Sequence, residues 1–261
     1  MNRRRRLGQH FLTNPEHAKK IVHLAGVKPS DLVLEVGPGR GILTEPLLKA
    51  CRHLIAVEAD LKLAEDLADR FAAAKNFTLF RQDILKFPIE KELKKFSPHK
   101  AKVVANLPYS ISTEIIFLLL EHRQCFSELY LMVQKEVADR LVATPGGKTY
   151  GILSVLTQLF SESQIVMKVS PGAFHPRPQV DSAVVAMRLS DTPRVAVNNV
   201  AAFKRLVRQA FATRRKMLRN CLKIADDDKW RGLCATIGID PKARAEQVTL
   251  QQFAALSEAL A

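Results

Sequence analysis

The chain has 261 residues, 47% hydrophobic and 25% charged, which is the balance of a folded protein with one large domain or one large and one small. No apolar run approaches the roughly 20 residues that span a bilayer, and Met1-Asn2 followed by four arginines is no secretory leader, so a cytoplasmic protein without a membrane partner is expected. The formal charge is +14, of which residues 1–20 carry +5 and residues 191–261 carry +6, so the excess sits at the two ends. That distribution suggests a polyanion gripped from two sides, though charge alone does not separate RNA, DNA and an anionic membrane surface. Cys51, Cys125, Cys221 and Cys234 form no CxxC pair and read as reduced thiols, and the histidines offer no ligand spacing, so no metal is expected.

In chain order, Asn14 and Pro15 open a helix that Gly26 stops. Asp31–Val36 is a short buried strand that runs into glycines. Gly41–Ala50 reads as a helix, His53–Glu58 as a second strand, Leu61–Ala74 as a helix and Phe77–Phe80 as a third strand. Lys102–Ala105 is a fourth strand, followed by a helix near Thr113–Leu120. Leu129–Val133 is a fifth strand, Val137–Val142 a short helix, Thr144–Lys148 a loop and Tyr150–Phe160 a helix. This alternation predicts an α/β fold, a parallel sheet with helices on both faces. Gln164–Val169 and Ala183–Leu189 then follow with no helix between them, so one of them should enter the sheet reversed. A parallel sheet closed by an antiparallel hairpin is unlike a nicotinamide-binding Rossmann domain and is similar to a class I methyltransferase. After a linker at Asp191–Asn199, only helices are expected, near 200–212, 214–224, 228–236 and 249–260.

The first strand ends in Glu35-Val-Gly37-Pro-Gly39-Arg-Gly41. Glycines there let the backbone turn sharply and approach a ligand, but the spacing is not the G-x-G-x-x-G of dinucleotide enzymes. Glu58 ends the second strand, where a carboxylate accepts from both ribose hydroxyls. Asp83 follows the third strand, where a carboxylate accepts from an adenine amino group. Together these three features point to an adenosine-bearing cofactor.

Asn106-Leu107-Pro108-Tyr109 stands directly after the fourth strand, at the carboxyl end of the sheet where ligands of such folds bind. An adenine amino nitrogen is a poor nucleophile because its lone pair is delocalised into the ring. The Asn106 amide oxygen and a backbone carbonyl, that of Leu107, can each accept one of its N–H bonds and free the lone pair towards an electrophilic methyl. Tyr109 offers a face on which an extracted base stacks.

Over nearly its full length the chain resembles the bacterial ribosomal RNA small-subunit adenine dimethyltransferases, the KsgA/RsmA family. The matching stretches are Leu7–Leu12, Glu35–Gly39, Asn106–Ser112, Met132–Glu136, Tyr150-Gly151, Phe174–Pro178 with Val180–Ser182, and Arg214–Lys216. The resemblance implies a class I S-adenosylmethionine-dependent methyltransferase sheet, Rossmann-like, with a C-terminal antiparallel hairpin and a small all-helical C-terminal domain. It implies S-adenosyl-L-methionine as methyl donor and dimethylation at N6 of two adjacent adenosines near the 3′ end of small-subunit rRNA, in the immature 30S subunit, with a role in ribosome biogenesis. Cofactor contacts carry over to His10, Leu12, Gly37, Glu58, Asp83 and Asn106, with Gly39 in the same loop. At His10 many relatives have Asn. Phe174 matches an aromatic that resembles a second wall of the base pocket.

The expected division is a basic arm and cofactor-covering motif over 1–14, the methyltransferase domain over 15–190 and a small helical RNA-binding domain over 191–261, in a monomer. Lys204, Arg205, Arg208, Arg214, Arg215, Lys216, Arg219 and Lys223 lie in a stretch without acidic residues and suit phosphate binding, which gains from counterion release. Arg3, Arg4, Arg5 and Arg6 suit docking on rRNA. Trp230 reads as core of the small domain. The competing functions are a related methyltransferase acting on another rRNA, such as that of the large subunit, and an assembly factor that mainly binds. A dehydrogenase fails on glycine spacing.

Overall fold

The computed structural model of the protein describes residues 10–213 and 215–260. They divide into two compact units, one running up to Ala138 and resuming over Glu162–Leu189, the other holding Asp139–Ser161 and the residues from Ser190 onward. The sequence reading keeps 139–161 with the sheet domain, whereas here that segment groups with the C-terminal helices. Polar contacts tie it there: the Tyr150 hydroxyl donates to the Val248 carbonyl at 3.1 Å and the Gly146 amide to the Glu246 carbonyl at 2.7 Å.

The first unit begins with a two-residue strand β1 (Phe11–Leu12), then α1 (Pro15–Leu24), β2 (Leu32–Val36), α2 (Thr44–Ala50), β3 (His53–Glu58), α3 (Leu61–Arg70), β4 (Phe77–Arg81) and α4 (Ile89–Lys94). β5 (Ala101–Asn106), α5 (Ser112–Glu121), β6 (Phe126–Gln134) and the first residues of α6 (Lys135–Leu141) follow. After α7 (Ile152–Gln158) of the second unit, the strands β7 (Ser161–Val169), β8 (Phe174–His175) and β9 (Ser182–Leu189) complete the first. The second unit adds α8 (Val200–Ala210), α9 (Leu218–Leu222), α10 (Asp227–Ile237) and α11 (Leu250–Ala259). Trp230 is buried in it, its indole N–H donating to the Pro241 carbonyl at 3.0 Å.

The main sheet has the order β4-β3-β2-β5-β6-β9-β7. Neighbours from β4 to β6 are parallel, and β9 lies antiparallel on β6. A strand reached without a helical crossover has to enter reversed, and β9 does so. The strand order reverses between β2 and β5, the switch point at which open α/β sheets form their binding crevice.

Successive side chains point to opposite faces of the sheet along each strand. Val33, Leu54, Val104, Met132 and Val184 join Ala18, Ile21 and Leu47 of α1 and α2 in one apolar cluster. Their neighbours Leu34, Ile55, Val103, Leu131 and Val185 are fully buried too, so both faces of the sheet are covered. α1 starts where Asn14 Oδ1 accepts the Glu16 amide at 2.9 Å with Pro15 at its first position, and α3 where Asp60 accepts the amides of Lys62 and Leu63. α2 starts at Thr44 and not at Gly41, because Gly41 has φ +77°, outside the helical region. Among the described residues no helix is long and apolar enough to cross a membrane.

Candidate active site

The carboxyl ends of β2, β3, β4 and β5 surround one cleft. His10, Leu12, Gly37, Gly39, Glu58, Asp83, Asn106, Leu107, Pro108 and Tyr109 all line it, so ten residues singled out in the sequence come together. After β2 the backbone turns through Gly37 and Gly39, both with positive φ. A Cβ on Gly39 would stand 3.0 Å from the Phe11 ring, so the close approach of loop and strand β1 requires glycine.

Glu58 is 3% exposed, and both its oxygens accept backbone amides: Oε2 from Gly39 at 3.0 Å, Oε1 from Asp60 at 2.9 Å. Burial holds its pKa above the ordinary value against those two hydrogen bonds. Each carboxylate oxygen still has a further lone pair for a hydroxyl donor. Asp83 Oδ1 accepts the Leu85 amide at 3.0 Å, which fixes the carboxyl at the end of β4. Glu35, one residue before the end of β2, is 1% exposed and takes a hydrogen bond from the Thr44 hydroxyl at 2.8 Å. Burial pushes its pKa up to about 8, and the nearby Glu58 adds to the rise. A carboxyl buried in this way keeps its proton at neutral pH. The acceptors of Glu58 and Asp83 fit the hydroxyl and amino donors of a nucleoside.

At the end of β5 the Asn106 amide nitrogen donates to the His10 carbonyl at 3.2 Å. Its Oδ1 is buried and has no hydrogen-bond partner among the described residues. The Leu107 amide donates to the Met132 carbonyl at 3.0 Å and anchors the turn that follows. The Tyr109 hydroxyl meets Ser182 Oγ at 2.5 Å, and its ring lies 5.3 Å from the His10 ring, centroid to centroid. Burial raises the phenol's pKa, so it stays neutral.

β1 and β8 form a two-stranded antiparallel ribbon, pairing Phe11 with His175 and Leu12 with Phe174. His10 Nδ1 donates to the Pro176 carbonyl at 2.7 Å, and the amide and hydroxyl of Thr13 both donate to the Ala173 carbonyl. The Arg40 guanidinium lies over the Phe11 ring at 4.8 Å. These contacts hold residues 10–13 as a strap on the cleft. Phe174 is 4% exposed and belongs to the apolar cluster with Leu12, Ile21 and Ala173; it is not among the cleft-lining residues.

A family model described as ribosomal RNA adenine dimethylase matches residues 1–261. The chain belongs to this family. It is 44% identical over 261 residues to the ribosomal RNA small subunit methyltransferase A of Geobacter metallireducens, covering 98% of this chain and 95% of that one. A dimethyladenosine transferase from Plasmodium falciparum superposes with TM-score 0.76 at 27% identity, covering 95% of this chain and 96% of that one. The 23S rRNA methyltransferase ErmE shares the fold, with TM-score 0.75 at 24% identity over 96% and 99% of the two chains.

In this dimethylase the basic residues of the second unit do not all stand alike. Arg205, Arg208, Arg215, Lys216 and Lys223 are exposed, and among the described residues none has an ion-pair partner. Lys204 is half-buried. Arg219 is otherwise engaged: it pairs with Asp227, its Nε donates to the Ile224 carbonyl at 2.9 Å, and Nη2 donates to the Ala225 carbonyl. It closes the turn after α9, so its guanidinium is not a free phosphate ligand as the sequence suggests. Arg3–Arg6 and Arg214 lie outside the described residues. Sequence reasoning gave no role to Glu35, Phe11, Arg40 or Ser182. Glu35 had a signal, a lone acid inside an apolar strand. Phe11 and Ser182 lie in stretches that match the family, but their partners lie far away in sequence, so no role could be read for them.

Proposed function

We propose that this dimethylase transfers methyl groups from S-adenosylmethionine to N6 of two adjacent adenosines near the 3′ end of small-subunit rRNA, within the immature subunit in the cytoplasm. The observation that carries the reading is Asn106 Oδ1, a buried acceptor unpartnered among the described residues, in a cleft lined also by Tyr109, Glu58 and Asp83. A buried acceptor without a partner costs about 1–3 kcal/mol, so its persistence argues for a donor that arrives with the substrate.

S-adenosylmethionine, when bound, supplies an electrophilic methyl on a sulfonium. Glu58 and Asp83 would take its ribose hydroxyls and adenine amino group. The extracted target adenine stacks on Tyr109. Its amino group donates one N–H to Asn106 Oδ1 and the other to the Leu107 carbonyl, which draws the nitrogen out of conjugation. Asn106 cannot rotate away, since its amide nitrogen is tied to the His10 carbonyl. The alkylated nitrogen is strongly acidic and loses its proton to water, so no strong base is needed in the cleft. The rest of the acceleration comes from alignment of nitrogen and methyl carbon. The exposed cations of the second unit grip rRNA phosphates.

The test is methyl transfer to purified unmethylated small subunits, with the products identified by mass spectrometry. Dimethyladenosine at adjacent positions is the expected result. Transfer confined to large-subunit RNA would overturn the choice of target, and no transfer to either would overturn the reading.

A further inference from the structure

The stretch Val180-Asp181-Ser182 matches the family pattern but has no place in the chemistry above. Ser182 is the first residue of β9, fully buried, and pairs in register with Gln134 at the end of β6. Because β9 runs against the other strands, its first residue lies at the sheet edge where the parallel strands end. The carboxyl edge thus holds Asn106 at the end of β5 and Ser182 at the start of β9, with β6 between them. Two strand spacings are about 10 Å. Tyr109, three residues after Asn106, spans that distance and meets Ser182 Oγ with its hydroxyl at 2.5 Å. At the other end of the residue, the Ser112 hydroxyl donates to the Tyr109 carbonyl at 3.3 Å, and the His10 ring flanks the phenol. Backbone and ring tip are therefore both fixed, and the ring keeps one plane.

We infer that Ser182 is a positioning residue: its hydroxyl holds the Tyr109 ring as a fixed stacking plane for the target adenine. The inference rests on the reading of Tyr109 as that stacking face. A phenol free to swing would still bind RNA through phosphates, but the base would sample orientations in which the amino group misses Asn106 Oδ1. Ser182 touches neither base nor methyl, so its effect must pass through the Tyr109 hydroxyl.

That requirement gives a double-mutant cycle. Ser182→Ala and Tyr109→Phe each remove one end of the hydrogen bond and leave the ring and both backbones. Each should slow single-turnover methyl transfer about three- to tenfold, the equivalent of one lost hydrogen bond. The double variant should be no slower than the worse single one. RNA binding should stay within about twofold of wild type. RNA with 2-aminopurine at the target position supplies a second readout: its fluorescence should be quenched by wild-type protein and less quenched, to equal extents, by all three variants. Multiplying losses in the double variant, or quenching by Ser182→Ala equal to wild type, would overturn the role of Ser182 while leaving Tyr109 as the stacking face. Wild-type protein that methylates the adenine-bearing RNA yet does not quench the 2-aminopurine RNA would overturn the stacking face itself, and Ser182's role with it.

Discussion

Glu58 has a structural duty beside the ribose-binding role proposed for it. Its position at the end of a strand marks it for ribose hydroxyls, yet in the fold it also gathers the amides of Gly39 and Asp60. Glu58→Gln keeps one acceptor and should weaken S-adenosylmethionine binding by about 1–3 kcal/mol while the loop survives. Calorimetry showing wild-type affinity would contradict the assignment. Glu35 titrates in the opposite sense to a salt-bridged acid. Its pKa rises from an ordinary 4.5 to about 8 in the folded chain. Between those values the unfolded chain has lost the proton that the folded chain keeps. Stability from this group is therefore complete below about pH 4.5 and is lost as the pH rises through 8. The loss is on the order of 5 kcal/mol at 1.36 kcal/mol per unit. Urea unfolding at pH 5 and pH 8 should show wild-type stability falling with pH, and Glu35→Gln should flatten most of that fall. An equal fall in both proteins would contradict it.

The elements themselves were largely legible. Strand β3 and the cap at Asn14 follow from local sequence, because apolar runs and capping side chains act within a few residues. Helix α4 was missed, since Lys91, Lys94 and Lys95 make it look like a solvated charge run, and only Ile89 and Leu93 reveal its buried side. The helix expected over 214–224 shrank to Leu218–Leu222, where Lys223 turns left-handed at φ 58°. The β1–β8 ribbon could not be read, because two-residue strands more than 160 positions apart leave no periodicity. That ribbon has its own test at Gly39. A methyl group there meets the Phe11 ring at 3.0 Å, on a backbone with φ +59°. Gly39→Ala should push β1 off the loop and lower S-adenosylmethionine affinity at least about tenfold, with a smaller loss of thermal stability. Unaltered affinity would show that the strap does not bear on the cleft.

At the scale of the whole molecule, the cleft and the exposed cations sit in different compact units. The cleft belongs to the sheet unit, while Arg205, Arg208, Arg215, Lys216 and Lys223 belong to the helical one. Net charge located that surface, but it could not tell free cations from one already paired, as Arg219 is. Reversing Arg208, Arg215 and Lys216 to Glu should weaken RNA binding and flatten its salt dependence, with cofactor affinity unchanged. An unaltered salt slope would make the cluster a solvated face. The same separation allows the central claim, that Asn106 Oδ1 orients the target amine, to be tested apart from binding. The measurement is single-turnover methyl transfer by Asn106→Ala at saturating S-adenosylmethionine, with RNA affinity determined alongside. The expected result is unchanged RNA affinity and a rate reduced by about two orders of magnitude or more, some 2.7 kcal/mol of lost transition-state stabilisation. A near-wild-type rate would contradict the account.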